Sequence, residues 1–159
     1  MTEFIKGVSL TQPWANSVGP YKKIETRSWS TKYRGPLVIH AAKGFPRSAR
    51  DFAATERALG RVPERLPFGA LVSVTSILDV RPTDELALTI SGLERHLGDY
   101  SPGRWGWLLG ETEKFDEPIG FKGSLGLFNI PLDLVRHALP ESVIAELENM
   151  ERQIGLSEK

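Results

Sequence analysis

The chain has 159 residues, with twenty Lys or Arg against twenty Asp or Glu, so its formal net charge is zero. That length suits one domain with a buried core, and the absence of cysteine excludes disulfide scaffolds, thiolate–zinc sites and cysteine nucleophiles. No apolar run approaches the ~18 residues that a membrane span needs, and no basic segment followed by an apolar stretch marks a secretory signal. We therefore expect a cytoplasmic protein without a membrane partner.

The charge is unevenly distributed along the chain. Residues 1–50 carry nine Lys or Arg and only two Asp or Glu, whereas residues 51–100 and 101–159 both have an acidic excess. A basic first third can present a positive face to an anionic partner, or its charges can be paired across the fold.

Hydrophobic periodicity and turn residues predict many short elements. The predicted strands are 8–10, 23–29, 37–42, 70–78, 104–109 and 123–129. The predicted helices are 48–59, 91–97, 132–139 and 142–154, with a helical turn opening at Pro13. Short strands with inserted helices and a helical end are typical of an α+β fold rather than of repeated βαβ units, and we expect a small barrel with helices packed around it.

The strand 23–29 has an unusual composition for a core strand. Alternation places Lys23, Glu25, Arg27 and Trp29 on one face, with Lys22 in the turn just before them. A cation can neutralise a phosphate or a developing oxyanion, and a carboxylate can accept from an exocyclic amine or act as a base. The alternative is a structural ion-pair network that holds this loop to the sheet.

Five segments, in the same order, resemble the motifs of ASCH domains. They are SLTQPWA at 9–15, GPYKKIETRSW at 19–29, YRGPLVIHA at 33–41, RWGWLL at 104–109 and KGSLGLF at 122–128. The resemblance implies a PUA-like β-barrel with a cleft between barrel and helices. It makes residues 1–159 a single domain, with the motif-bearing barrel at about 4–130 and C-terminal helices at about 131–155.

The resemblance also implies a ligand class. ASCH relatives bind RNA, DNA or modified nucleosides, some hydrolyse an acetyl amide on the exocyclic amine of cytidine, and others have been assigned ribonuclease activity. We therefore expect an RNA- or modified-nucleoside-binding protein with a basic cleft. The alternative is a hydrolase, an acetylated-cytidine amidohydrolase or a ribonuclease, that uses Lys22, Glu25 and Arg27 as catalytic residues. Aligning on Lys22 and Arg27 puts Glu25 where the hydrolytic relatives carry a threonine nucleophile, which favours binding.

Further residues have side chains that suit a nucleic-acid ligand, since indoles stack on bases, amides and imidazoles bond base edges, and lysines contact phosphates. These candidates are Gln12, Trp14, Lys23, Trp29, His40, Lys43, Trp105 and Lys122. Each has an ordinary alternative: core packing for the indoles, a turn-stabilising amide for Gln12, a buried neutral ring for His40, and solvated charge for the lysines.

Two remaining features concern cofactors and partners. The three histidines are far apart, and no phosphate-loop or dinucleotide glycine pattern occurs, so we expect neither a metal site nor a cofactor. The apolar stripe of helix 142–154 either caps this protein's own barrel or contacts a protein partner.

Overall fold

The computed structural model describes residues 2–157, which form one mixed sheet flanked by helices. The strands are β1 (Phe4–Leu10), β2 (Ile24–Arg27), β3 (Gly35–Ala41), β4 (Ala70–Pro82), β5 (Trp105–Leu109), β6 (Glu113–Gly120) and β7 (Phe128–Pro131). The helices are α1 (Trp14–Ser17), α2 (Arg47–Ala58), α3 (Thr83–Leu86), α4 (Gly92–His96), α5 (Leu132–Val135) and α6 (Glu141–Ser157), and a 3-10 turn spans Arg136–Ala138. The predicted α+β class is therefore confirmed.

The sheet is open, so the expectation of a closed barrel is wrong. Its strands follow the order β2-β5-β4-β3-β1-β7, with β6 paired to β4 beside this path. The 13 residues of β4 explain the branching, because its first part pairs with β6 and its last part with β5. Each of these two pairings contains one irregular register. Closure would require the two end strands to pair, but β2 pairs with β5 and β7 with β1.

Apolar side chains cover both faces of the sheet. All seven residues of β3 are buried, which is typical of a strand with packing on both sides. On one face Val38 and Leu71 pack with residues of β7, α5 and α6. On the other face Leu37 and Ile39 pack with α1 and with Trp107 of β5. This second face carries the elements that build the candidate site.

Helix α6 covers the sheet of its own chain. Leu147 is buried in the core and Val143 packs against it, while a Cβ added at Gly35 would lie 3.0 Å from the Met150 sulfur. Gly35 also has a φ of +130°. Glycine is therefore needed here both for the backbone conformation and for the close approach of Met150. The apolar stripe of α6 therefore caps the sheet of its own chain, although Ile154 near its end is 60% exposed.

The sequence missed one strand, and one of its predicted strands is wrong. Strand β6 was missed because only Phe115 among its eight residues is buried, so the segment reads as a charged loop rather than as alternation. The predicted strand 123–129 is wrong, since the chain forms a loop through this region and pairs only from Phe128 onward. Within the described residues, no helix has the length and apolarity needed to cross a membrane.

Candidate functional site

The charged strand β2 borders a cavity of about 380 Å³, which we call the motif cleft. Its walls come from the β1–α1 junction, from β2, from the start of α2 and from the segment after α4. Trp14, Lys22, Glu25, Arg27, Ser48 and Asp99 are among the lining residues. Lys22, Glu25 and Arg27, which the sequence singled out together, thus meet at one cavity.

Lys22 lies at the base of this cleft with its ammonium fully engaged. The residue is 1% exposed, and Nζ donates to the carbonyl oxygens of Ile24 at 2.6 Å and Leu97 at 3.0 Å. It also lies 3.3 Å from Glu25 Oε1. An ammonium has three N–H donors, and these three acceptors account for them. Lys22 therefore ties β2 to the segment after α4 instead of projecting toward a ligand.

A tight turn brings Lys22 inward. The Lys22 backbone amide donates to Ser17 O at 2.8 Å, and the Gly19 amide donates back to Lys22 O at 3.0 Å. Gly19 has a φ of +100°, and a Cβ there would lie 2.9 Å from the Thr112 side chain. Both observations require glycine at this position.

Glu25 and Arg27 form the polar wall of the cleft. Glu25 Oε2 accepts from Arg27 Nη1 at 3.1 Å, and the same Nη1 donates to Ser9 O at 3.3 Å. The Arg27 side chain is 24% exposed, against 8% for Glu25. A guanidinium has five N–H donors, and only Nη1 has a hydrogen-bond partner among the described residues. Arg27 can therefore still donate to a ligand in the cleft.

An aromatic column stands at another wall. The Trp14 ring stacks on Phe52 with centroids 4.9 Å apart, and Phe52 stacks on His96 at 4.9 Å. Trp14 and His96 both line the cleft. Trp14 is partly exposed and is held by Phe52, so it forms a fixed aromatic part of the cleft lining.

The other candidate indoles lie outside the cleft lining. Trp29 is partly exposed, packs edge-on against the buried Trp107 at 4.9 Å and lies 5.7 Å from the Arg27 guanidinium carbon. Trp105 packs against the same core. Trp29 thus packs against the Arg27 guanidinium without lining the cleft, and Trp105 packs against the core.

Gln12 and Lys23 also lie outside the cleft lining. The Gln12 side chain is fully buried and donates to Asn16 Oδ1 and Pro67 O, while its oxygen accepts from the Asn16 amide. Of the two alternatives raised for Gln12, this is the turn-stabilising amide. Lys23 is exposed beside a neighbouring cavity, and its backbone amide donates to Glu94 at 2.6 Å.

His40, Lys43 and Lys122 line a different cavity of about 950 Å³, which we call the second cavity. His40 is 3% exposed, and its two ring nitrogens contact Ser9 and Phe121. The second cavity shares no lining residue with the motif cleft. The sequence-predicted ligand residues are therefore divided between two places.

The lining of the motif cleft is balanced in charge rather than basic. Lys22 and Arg27 are matched by Glu25 and Asp99. Hydrogen bonds from Ser101 lower the pKa of Asp99, so this carboxylate remains ionised at neutral pH. In the described part of the chain, no group of three or more His, Asp or Glu side chains is arranged to hold a metal ion.

Exposed cations lie beside the cleft. Lys43, Arg47 and Arg50 are exposed, and no carboxylate within residues 2–157 forms an ion pair with them. They belong to the segment that runs from the second cavity to the start of α2. The cations that line the cleft are paired with Glu25, so the unpaired positive charge belongs to this neighbouring segment.

One wall of the cleft was missed by sequence reasoning. The segment from His96 to Asp99 faces β2 because Leu97 O accepts from Lys22, 75 positions earlier in the chain. The start of α4 has a local signal, since Ser91 Oγ accepts from the Glu94 amide, as a helix N-cap does. Nothing in the local sequence, however, ties α4 to the charged strand.

Comparison with known proteins identifies the fold. The crystal structure of ASCH from Zymomonas mobilis superposes with a TM-score of 0.51 and 11% sequence identity, over 82% of this chain and 90% of that one. No family model and no curated protein matches the sequence. The chain has an ASCH-like fold, as the resemblance of its motifs implies.

Proposed function

We propose that the motif cleft binds a nucleobase, presented either by single-stranded RNA or by a free modified nucleoside. The observation that carries this proposal is the pairing of Glu25 with Arg27 in the lining of a cavity that the Trp14 indole also lines. Glu25 can accept from an exocyclic amine, and the free N–H groups of Arg27 can donate to a ring nitrogen or carbonyl. Trp14 can stack on the base, a contact worth about 1–3 kcal/mol.

The dimensions and the surrounding charge support a ligand of this kind. The cavity of about 380 Å³ falls in the range of roughly 300–1,000 Å³ that is usual for small-molecule sites. Arg47 and Arg50, next in the chain to the lining residues at 46, 48 and 49, can contact the phosphates of a bound strand, and Lys43 can extend this contact toward the second cavity. For single strands, each neutralised phosphate contributes a slope of about −0.7 to the dependence of log affinity on log salt.

The same contacts favour binding over hydrolysis at this cleft. Both oxygens of Glu25 are paired with cations, and the three N–H groups of Lys22 are engaged. A general acid must give a proton to the substrate, and Lys22 would first have to break one of these contacts. The hydrolase alternative predicts that the nucleoside is deacetylated or the RNA is cleaved, so the binding experiment also looks for these products.

Equilibrium binding tests the proposal. Fluorescence anisotropy with a labelled single-stranded RNA at several salt concentrations tests the RNA source. Calorimetry with cytidine and with cytidine acetylated on its exocyclic amine tests the nucleoside source. If RNA binds more weakly as salt rises and free nucleosides do not bind, the base is presented by RNA. If a nucleoside binds saturably, the ligand is the free nucleoside. Chromatography of the same mixtures detects any cleavage.

Variants assign the binding to the cleft. We expect Arg27→Gln and Glu25→Gln each to lower affinity at least tenfold in the folded protein, while Glu117→Gln on exposed β6 leaves it unchanged. Circular dichroism checks that each variant is folded. We expect Arg27→Gln to disturb the fold less than Glu25→Gln does, because Arg27 is the more exposed of the two. Unchanged affinity in both folded variants, or no binding of any probe by the native protein, would refute the proposal.

A further inference from the structure

The second cavity contains a serine–histidine pair that the proposed function does not use. Ser9 and His40 are register partners on the adjacent parallel strands β1 and β3, and both line the cavity. Ser9 Oγ lies 2.8 Å from His40 Nδ1, and His40 Nε2 lies 2.7 Å from the carbonyl oxygen of Phe121.

The carbonyl of Phe121 determines which way the protons point. A backbone carbonyl only accepts, so Nε2 must carry a proton and donate to it. In the neutral ring Nδ1 is then the acceptor, and the Ser9 hydroxyl donates to it. A hydroxyl donating to a histidine that is oriented by a third group is the arrangement that activates a serine nucleophile.

A close glycine seats the loop against this pair. A Cβ added at Gly123 would overlap Ser9 Oγ and would lie 2.6 Å from His40 Nδ1, so glycine alone lets the main chain approach so closely. No backbone carbonyl among the described residues accepts from the Gly123 amide. A free amide so near the nucleophile can stabilise negative charge on a substrate oxygen.

The cavity also indicates the kind of substrate. Lys43 and Lys122 are exposed cations at its rim, while Phe68 and Leu125 in its lining are 38% and 99% exposed. We propose that Ser9 and His40 catalyse acyl transfer to water in this cavity, on carboxylic esters that combine an apolar acyl chain with an anionic group. This activity does not depend on nucleobase binding in the motif cleft.

The reaction proceeds in two balanced halves. Ser9 Oγ bonds to the ester carbonyl carbon as its proton passes to His40 Nδ1, and the carbonyl π electrons move to the oxygen. The tetrahedral intermediate collapses, its C–O bond to the alcohol breaks, and the leaving oxygen takes the proton from His40. Water then adds to the acyl-serine by the same route, releasing a carboxylic acid and restoring the serine.

Covalent labelling and turnover test the inference. We expect a fluorophosphonate to add once to the native protein, with peptide mapping placing it on Ser9, and we expect hydrolysis of p-nitrophenyl butyrate. Ser9→Ala should abolish both, and Ser30→Ala on the exposed surface should change neither. His40→Gln should slow labelling at least 100-fold, since a general base contributes about 10²–10⁴-fold. Lys43→Ala combined with Lys122→Ala should raise KM for p-nitrophenyl hemisuccinate but not for the butyrate.

Several results would overturn it. These are absence of an adduct on the folded native protein, an adduct that maps to another residue, and turnover that survives Ser9→Ala. Equal labelling rates in native protein and folded His40→Gln would show that Ser9 is not activated by the histidine. If His40→Gln fails to fold, the mapped adduct on native protein and the Ser9→Ala result still decide the question.

Discussion

Replacing Lys22 by methionine isolates the role of one buried ammonium. Methionine approximates the aliphatic stem and removes the charge, so Glu25 keeps only Arg27 as a partner and the carbonyls of Ile24 and Leu97 lose their donor. Breaking one half of a buried ion pair costs about 3–5 kcal/mol. Lys22 is 1% exposed, so solvent does not screen the lost interaction. We therefore expect Lys22→Met to lower the free energy of unfolding by about 3–5 kcal/mol.

Urea and thermal unfolding measure this effect. For a chain of this size each kcal/mol lowers Tm by about 2–4 °C, so Lys22→Met should lower it by about 6–20 °C. Lys23→Met is the matched control, because its exposed side chain should change stability by less than about 0.5 kcal/mol. The double variant Lys22→Met/Glu25→Gln should be more stable than the sum of the single losses predicts, since neither partner is then left alone.

Two results would refute this reasoning. A loss below about 1 kcal/mol would mean that the ammonium contributes no more than an exposed ion pair does. Additive losses in the double variant would mean that Lys22 and Glu25 do not interact energetically, and that Lys22 acts through its carbonyl contacts alone.

Three further predictions concern the cleft and the sheet. Trp14→Ala should weaken ligand binding by about 1–3 kcal/mol in anisotropy titrations if the indole stacks on a base; unchanged affinity would remove Trp14 from the site. The lowered pKa of Asp99 adds stability that is present above about pH 4 and is lost as the pH falls through the lowered value. Asp99→Asn should therefore flatten the acid limb of stability in urea titrations, and an unaltered limb would contradict the assignment. A Cβ at Gly106 would overlap Leu86, whereas one at Gly120 meets nothing within 4 Å; Gly106→Ala should cost about 1–3 kcal/mol and Gly120→Ala much less, and equal Tm values would refute this.

Local periodicity predicted the polar wall of the cleft but not the burial of its lysine. Alternation alone places Glu25 and Arg27 side by side, and the structure agrees. The engagement of Lys22 depends on Leu97, which folds against it from 75 positions away. No local pattern carries that information, so the sequence did not predict that Lys22, a candidate catalytic cation, holds two segments together.

Strand pairing explains the other differences. His40 looked like one more ligand residue until the parallel pairing of β1 with β3 placed Ser9 beside it, in a separate cavity. Similarly, the motifs predicted short strands correctly but not whether the sheet closes, since closure depends on which strands pair at its ends. The end strands β2 and β7 pair with β5 and β1 and not with each other. Strand β6 has too few apolar residues to be recognised in the sequence.

The most direct test of the account is to observe the motif cleft while a ligand is added. In ¹H–¹⁵N NMR spectra the Trp14 indole N–H and the Arg27 Nε–H report on the two walls that we assign to the base. We predict that both signals shift on titration with single-stranded RNA or acetylated cytidine, with one common Kd, while the Trp105 indole N–H stays in place. Saturable binding that leaves the Trp14 and Arg27 signals unmoved would contradict the assignment of the motif cleft as the nucleobase site.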